Sequence, residues 1–196
     1  MKINFSYNFY FLNYLLLKMI AEKVTFKQMM MILIKLVTIL REKNVFLPRE
    51  KHDFRIKSKS FKSGGVIPKK FTPYGKDVHP DFFWTGIPRH TKSFAIICDD
   101  PDTPDGNVFT HWVVKNIPLN VQSIAEGEQV GEEVKNSWGF TKYSGPKPPS
   151  GKHRYYFKLY AIREDKLVAR TLKALRKEIE AKKVGEATLM GTYSKE

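Results

Sequence analysis

Apolar and polar residues follow two different rhythms along this chain, and the change between them falls near residue 50. Up to Leu40 the sequence is dense in Phe, Tyr, Leu, Ile, Met and Lys and holds neither Gly nor Pro. Met30, Ile34, Val37 and Leu40 recur at helical spacing with Lys35 and Arg41 on other faces, which predicts an amphipathic helix. From Phe54 the period shortens to that of strands. Phe54, Ile56 and Ser58 alternate with Arg55 and Lys57, and Gly64-Gly65 predicts a turn soon after. Ser93 to Cys98 and His111 to Ile117 are short β-rich runs bounded by turn residues. Arg154 to Ile162 is the strongest strand, with Tyr155, Phe157, Leu159 and Ala161 on one face and Lys158 on the other. A helix is predicted from Thr171 to Lys183, with Leu172, Leu175 and Ile179 on one stripe, Thr171 as cap and Gly185 as stop. A closing strand, Glu186 to Tyr193, follows. Many short strands and one late helix predict a mostly β fold, an antiparallel sandwich or a related two-sheet architecture.

The rhythm change divides the chain into a hydrophobic, basic leader over residues 1–50 and a domain over residues 54–196. A membrane span wants about 20 mostly apolar residues. Ile3 to Leu17 is interrupted by Asn4, Ser6, Asn8 and Asn13, and Met29 to Leu40 is too short. No small-residue cleavage site follows Leu15-Leu16-Leu17, so a signal peptide fits poorly. The leader therefore reads as one or two helices that dock on the domain, a partner or a membrane surface. Met29, Met30 and Met31 also offer internal starts for translation.

Composition adds limits rather than identity. Apolar residues at 42% and charged residues at 28% suit a folded core. The single cysteine, Cys98, cannot staple a domain, which points to a reducing compartment. Its place in an apolar run predicts a buried, inert thiol. The formal charge of +14 invites nucleic acid, but the lysines are scattered and several stand beside acids, as in Arg163-Glu164-Asp165-Lys166. No arginine-rich tract or zinc-finger spacing accompanies them, so no specific nucleic-acid binding is expected.

Three segments could carry chemistry. Asp99 to Gly106 places four acids in a proline-stiffened turn, without the alternate ligand spacing or the terminal glutamate of a calcium loop. Thr110-His111-Trp112 opens the next strand. Gly145 to Tyr155, a loop of Gly and Pro with one X-Pro bond a candidate for the cis form, delivers His153 to the mouth of the strongest strand. Trp84, Trp112 and Trp138 read as core or rim packing rather than a ligand box.

Together these segments resemble the phosphatidylethanolamine-binding protein family, also called Raf kinase inhibitor-like, in its bacterial and archaeal branch. The Asp-Pro-Asp-x-Pro turn stands at Asp100 to Pro104, followed by His111, and the Gly-Pro-x-Pro-Pro-x-Gly-x-His-Arg-Tyr loop runs from Gly145 to Tyr155. Phe61 to Pro68, Gly75 to Pro88 and the ending from Ala187 to Tyr193 are similar too, with Phe82-Phe83 in place of the usual Leu-Ser. The resemblance runs from Ile56 to Tyr193. It implies a large antiparallel sheet packed on a smaller one, with a pocket at one end. Its ligand-binding residues would be Asp100, His111, His153 and Tyr155, walled by Pro104, Gly145, Pro146 and Pro149. The chain ends three residues past Tyr193, without the C-terminal helix that edges the pocket in eukaryotic members.

The expected function is non-catalytic binding of a small phosphorylated or anionic group, such as a phospholipid head group or a phosphopeptide. Two imidazoles and a tyrosine would donate to the anion, and Asp100 would accept a ring N–H and orient one histidine. No cofactor and no metal are expected. A metal site from Asp100, His111 and His153 fits on ligand type alone. The alternative is a hydrolase with His153 or His111 as general base and Asp100 orienting it, although neither Ser144 nor Ser150 sits in a Gly-x-Ser-x-Gly elbow. The resemblance also implies regulation of a protein kinase or protease. A homodimer and a cytoplasmic place, with peripheral membrane association through the leader, complete the expectation.

Overall fold

Two antiparallel sheets carry the fold. The computed structural model describes residues 53–195 and, upstream, residues 25, 27, 28, 30–32, 34, 35 and 38. The chain divides into two units, Met1–Lys51 and His52–Glu196, and both sheets lie in the second. The smaller sheet joins β1 (Arg55–Lys57), β2 (Phe82–Thr85) and β5 (Ser123–Ile124) in the order β1-β2-β5. The larger runs β6-β4-β3-β7-β8, built from β3 (Ser93–Asp100), β4 (Phe109–Pro118), β6 (Glu132–Glu133), β7 (Lys152–Ile162) and β8 (Lys183–Ser194).

Why β3 reads as a solid apolar run is now plain: it is the central strand, and all eight of its residues are buried. Its alternate side chains enter two different cores. Phe94, Ile96 and Cys98 face the smaller sheet, where they meet Phe82, Trp84, Trp112, Tyr155, Phe157 and Leu159. Ala95 and Ile97 join a second core with Val113, Tyr160, Ile162, Leu175 and Ile179, the last two from the helix Leu172–Lys182. On β7, Tyr155, Phe157, Leu159 and Ala161 share the inner face as the alternation predicts, while Tyr160 and Ile162 enter the second core. Cys98 is 1% exposed, and burial pushes its thiol well up from the ordinary range, so it is inert packing.

Two boundaries differ from the sequence reading. The helix ends at Lys182 and β8 starts at Lys183 without a loop, so Gly185 does not stop it. Gly185 instead pairs with Ala161 inside β8, where an added Cβ would lie 2.5 Å from Pro88 Cγ. Glycine is there for close packing. The predicted cap holds: the Thr171 side chain accepts from the Ala174 N–H at 3.4 Å. At that length Thr171→Ala is expected to cost about 0.5–1 kcal/mol in urea melts. The strand near Phe54 is shorter than the alternation suggested, and no peptide bond among the described residues is cis.

In the leader, positions 27, 28, 30–32, 34, 35 and 38 are helical, with Met30 and Ile34 exposed. Thr25 and Gln28 form a reciprocal capping box: the Thr25 N–H donates to Gln28 Oε1 at 2.9 Å, and the Gln28 N–H to Thr25 Oγ1 at 3.4 Å. Val37, Leu40 and Arg41 lie outside the described residues. Among the described residues no helix is long and apolar enough to cross a membrane.

Candidate functional site

The C-terminal end of β3, the start of β4 and the start of β7 are adjacent in the larger sheet, which gathers three of the motif residues. Asp99 and Asp100 are neighbours in sequence and leave β3 on opposite faces. Asp99 turns to the helix side, where it accepts from Arg176 at 2.6 Å, Thr110 Oγ1 at 2.9 Å and Lys158 at 3.2 Å. Asp100 turns the other way. Its Oδ2 accepts from His153 Nδ1 at 2.8 Å and its Oδ1 from the Asp102 N–H at 2.8 Å. A carboxylate only accepts, so the proton of that imidazole sits on Nδ1 and Nε2 is left for a ligand.

His111 is aimed by an irregularity. Cys98 pairs with Trp112 and Asp99 with Thr110, so His111 is the extra residue of a β-bulge. The bulge switches the phase of β4: Thr110 faces Asp99 on the helix side, while Trp112 enters the core between the sheets. His111 donates from Nδ1 to the Ser144 carbonyl at 2.7 Å, which again assigns Nε2 to whatever binds. The Tyr155 ring stands edge-on to it, centroids 5.1 Å apart.

Burial dominates the electrostatics. The His111 ring is held below the ordinary histidine range by desolvation, against the opposing pull of the Ser144 carbonyl and the Asp100 charge. The Tyr155 phenol is pushed far up, first by burial and then by the Asp100 charge. Its hydroxyl approaches Asp100 without hydrogen-bond geometry and is a buried polar atom with no partner in the protein. A lone hydroxyl in that position is costly unless something else meets it.

The Gly-Pro loop follows directly on Ser144 and so stands beside His111. Gly145 donates its N–H to Asp77 Oδ1 at 2.7 Å, and Gly145 and Pro146 are both buried. Pro104 and Pro149 stand exposed, and Pro148 rather than Pro149 is the buried proline of the loop. The acidic turn is not a cation loop. Besides Asp99 and Asp100, Asp102 takes Arg154 through the backbone N–H at 2.8 Å, Nε at 2.9 Å and one terminal nitrogen at 2.6 Å. Those Arg154 bonds hold the Asp102 carboxyl below the usual range. Among the described residues no three of His, Cys, Asp or Glu are placed to hold a metal ion.

The structure thus brings Asp100, His111, His153 and Tyr155 together. Motif reading missed the Ser144 carbonyl that fixes the His111 tautomer, because backbone acceptors leave no mark in a pattern of side chains. It expected Asp100 to accept a histidine N–H, as it does from His153, but missed the Asp102 bonds to Arg154 that close a ring through the same residues. Of the three tryptophans, Trp84 and Trp112 are buried in the core and Trp138 is 42% exposed beside His111.

Comparison with known proteins places this geometry in a lineage. The model of the phosphatidylethanolamine-binding protein family matches residues 57–194. A UPF0098 protein of Aquifex aeolicus is 40% identical over 151 residues, covering 71% of this chain and 87% of that one. A UPF0098 protein of Chlamydia trachomatis serovar D is 34% identical over 151 residues, with 72% and 99% covered. Among solved structures, the homolog CT736 of Chlamydia trachomatis superposes with a TM-score of 0.70 at 32% identity, covering 74% of this chain and all of that one. YbcL of Escherichia coli, described as a member of the mammalian family, gives 0.69 at 26% identity, with 74% and 99% covered. On the family match and these relatives, the chain belongs to the phosphatidylethanolamine-binding protein family, in its bacterial and archaeal branch.

Proposed function

We propose that the protein binds a small phosphorylated or otherwise anionic group, without turnover, in the pocket of His111, His153, Tyr155 and Asp100. The observation that carries this is a set of three polar groups aimed at one place, two imidazole Nε2 atoms and one phenol. Each histidine has Nδ1 committed, to Ser144 or to Asp100, and the buried Tyr155 hydroxyl makes no well-formed hydrogen bond within the protein. An anion with several oxygens accepts from the phenol and from each imidazole that takes up a proton at Nε2, and a charge-assisted bond in a dry site is stronger than in water. A hydrolase would need a nucleophile. Among the described residues neither imidazole bonds a hydroxyl or thiol, and Cys98 is buried and protonated.

Protons enter the balance. A neutral His111 offers a lone pair at Nε2, not a donor, so a dianion must recruit a proton to that ring. Sulfate is the clean probe because it stays dianionic. Its affinity, followed by calorimetry, is expected to rise as pH falls from about 8 to about 5.5, by up to about tenfold per pH unit for one proton taken up. His153→Gln should weaken it by at least about tenfold, the loss of one charge-assisted bond. Stability without ligand moves the other way. Folding lowers the affinity of His111 for its proton, so its contribution is whole above the unfolded value of 6.5 and is lost as pH falls beneath it. Sulfate should therefore raise the melting temperature more at the acid end. Ring signals of His111 and His153 that stay unchanged at millimolar sulfate or phosphate would refute the proposal.

A further inference from the structure

A second cleft, of about 430 Å³, opens between β1 and β8, which are edge strands of the two sheets. Its floor is apolar, with Ile56, Phe61 and Leu189 all buried. Its rim is basic: Arg55, Lys57 and Lys62 are exposed, and no acid lines it. Arg55 is bound to Asp53, whereas among the described residues no acid meets Lys57 or Lys62. One wall is bare backbone. At the far end of β8 the edge is covered: the Met190 carbonyl accepts from the Gly64 N–H at 2.7 Å. There the Thr192 N–H donates to the Gly65 carbonyl, and the Thr192 carbonyl accepts from the Ile67 N–H, both at 2.8 Å. A turn closed by the Gly65 N–H on the Lys62 carbonyl, 2.8 Å, then takes the chain off the edge. Main-chain groups alternate between the two sides of a strand, so Thr188 and Glu186 present theirs to the same edge as Met190 and Thr192. Among the described residues no backbone group meets those two rungs.

An open strand edge is a template for another strand, and folded proteins usually cover it or guard it with charge. Here the one charge on the two rungs, Glu186, is held by Lys183 at 2.8 Å. We infer that this edge docks an extended acidic segment of a partner protein, which adds to β8 as a strand and lays one face in the cleft. Main-chain bonds to Glu186 and Thr188 give such a segment its register, and the cleft chooses its side chains. Alternation sets the pattern. An apolar residue lies over Ile56, Phe61 and Leu189, and acids two positions to either side share its face and reach toward Lys57 and Lys62. Charge selects the occupant, because a rim of cations draws an acidic segment and repels a basic one. Thr188 pairs with Lys158, and Tyr193 with His153, so the edge lies about 16 Å along β8 from the histidine pocket. Neither site needs the other.

The probe is the peptide acetyl-Glu-Thr-Val-Thr-Glu-amide, which puts Glu, Val and Glu on one face of a strand. The same peptide with lysine in place of both glutamates is its control. With the full chain, saturating acidic peptide is expected to slow hydrogen exchange at the Glu186 and Thr188 amides by about fivefold or more. Lys57→Glu combined with Lys62→Glu, both on the exposed rim, should weaken the acidic peptide by about tenfold and strengthen the lysine peptide. Equal affinity of the protein for the two peptides overturns the inference, because charge then does not select the occupant. Amides at Glu186 and Thr188 that already exchange slowly in the protein alone overturn it too, since the edge is then not free. So does a peptide that moves the His111 and His153 ring signals and leaves those amides unprotected. Protection by a single-stranded oligonucleotide and not by the peptide would make the partner a nucleic acid and equally refute the proposal.

Discussion

Phe157→Ala is expected to remove about 3–5 kcal/mol of folding stability, a third or more of what a domain of this kind usually has. Phe157 is completely buried at the middle of β7, between Cys98 of β3 and Leu189 of β8. Its ring packs 4.8 Å from Phe82 and 5.9 Å from Phe61, so it bridges the larger sheet, the smaller sheet and the segment before Gly64. These neighbours lie on strands held by ladder hydrogen bonds and cannot close in on the void, which places the cost at the upper part of the range. Urea unfolding should show a lower midpoint at an unchanged slope. Val168→Ala, at a residue 76% exposed, is the matched control and should stay within about 0.5 kcal/mol. Tyr155 precedes Phe157 on the same face of β7, so the variant should also weaken sulfate binding at the proposed site by loosening the strand that carries Tyr155.

At the proposed anion site, Gly145→Ala is expected to remove sulfate binding outright. An added Cβ would stand 2.0 Å from the Phe71 carbonyl oxygen and 2.8 Å from Thr72 Cα. Both obstacles are backbone, and Phe71 is fully buried, so the loop must yield rather than its neighbour. The displacement breaks the 2.7 Å bond from the Gly145 N–H to Asp77 and carries away the adjacent Ser144 carbonyl, the acceptor that holds the His111 tautomer. Overpacking of this kind costs about 1–3 kcal/mol, occasionally more. The decisive reading is the split between fold and site: a domain that still melts cooperatively, with a changed ¹⁵N tautomer pattern at His111 and no response to sulfate. Retention of full sulfate affinity would mean that the Ser144 carbonyl does not orient the ring.

Much of this architecture is legible in the chain. The alternation of Tyr155, Phe157, Leu159 and Ala161, the Thr171 cap, and the two motifs around Asp100 and His153 all encode local or periodic choices, and the structure agrees with them. What sequence could not reveal depends on pairings between distant strands. The helix runs straight into β8 because Lys183 already pairs with Ile162, so Gly185 is left to fit against Pro88. Neither contact has a local signature. Asp99 and Asp100 look alike in the acidic turn and separate only when one face of β3 meets Arg176 of the helix and the other meets the His153 ring. The Ser144 carbonyl escapes for a third reason, since backbone geometry rather than residue type makes it important.

The bulge at His111 has a bearing on how this lineage can change. The bulge reverses the alternation of β4: counting back from Trp112 and Val114 an even strand would turn Thr110 between the sheets, yet Thr110 meets Asp99 on the helix side. Losing one residue between Phe109 and Trp112 would restore an even ladder, but every side chain on one side of the lesion would be turned to the opposite face. Thr110 would leave Asp99, or Trp112 and Val114 would leave the core between the sheets. Insertions can accumulate in the exposed turn at Pro104 to Asn107, whereas the spacing through His111 is closed to them. The segment can diverge by substitution but not by length.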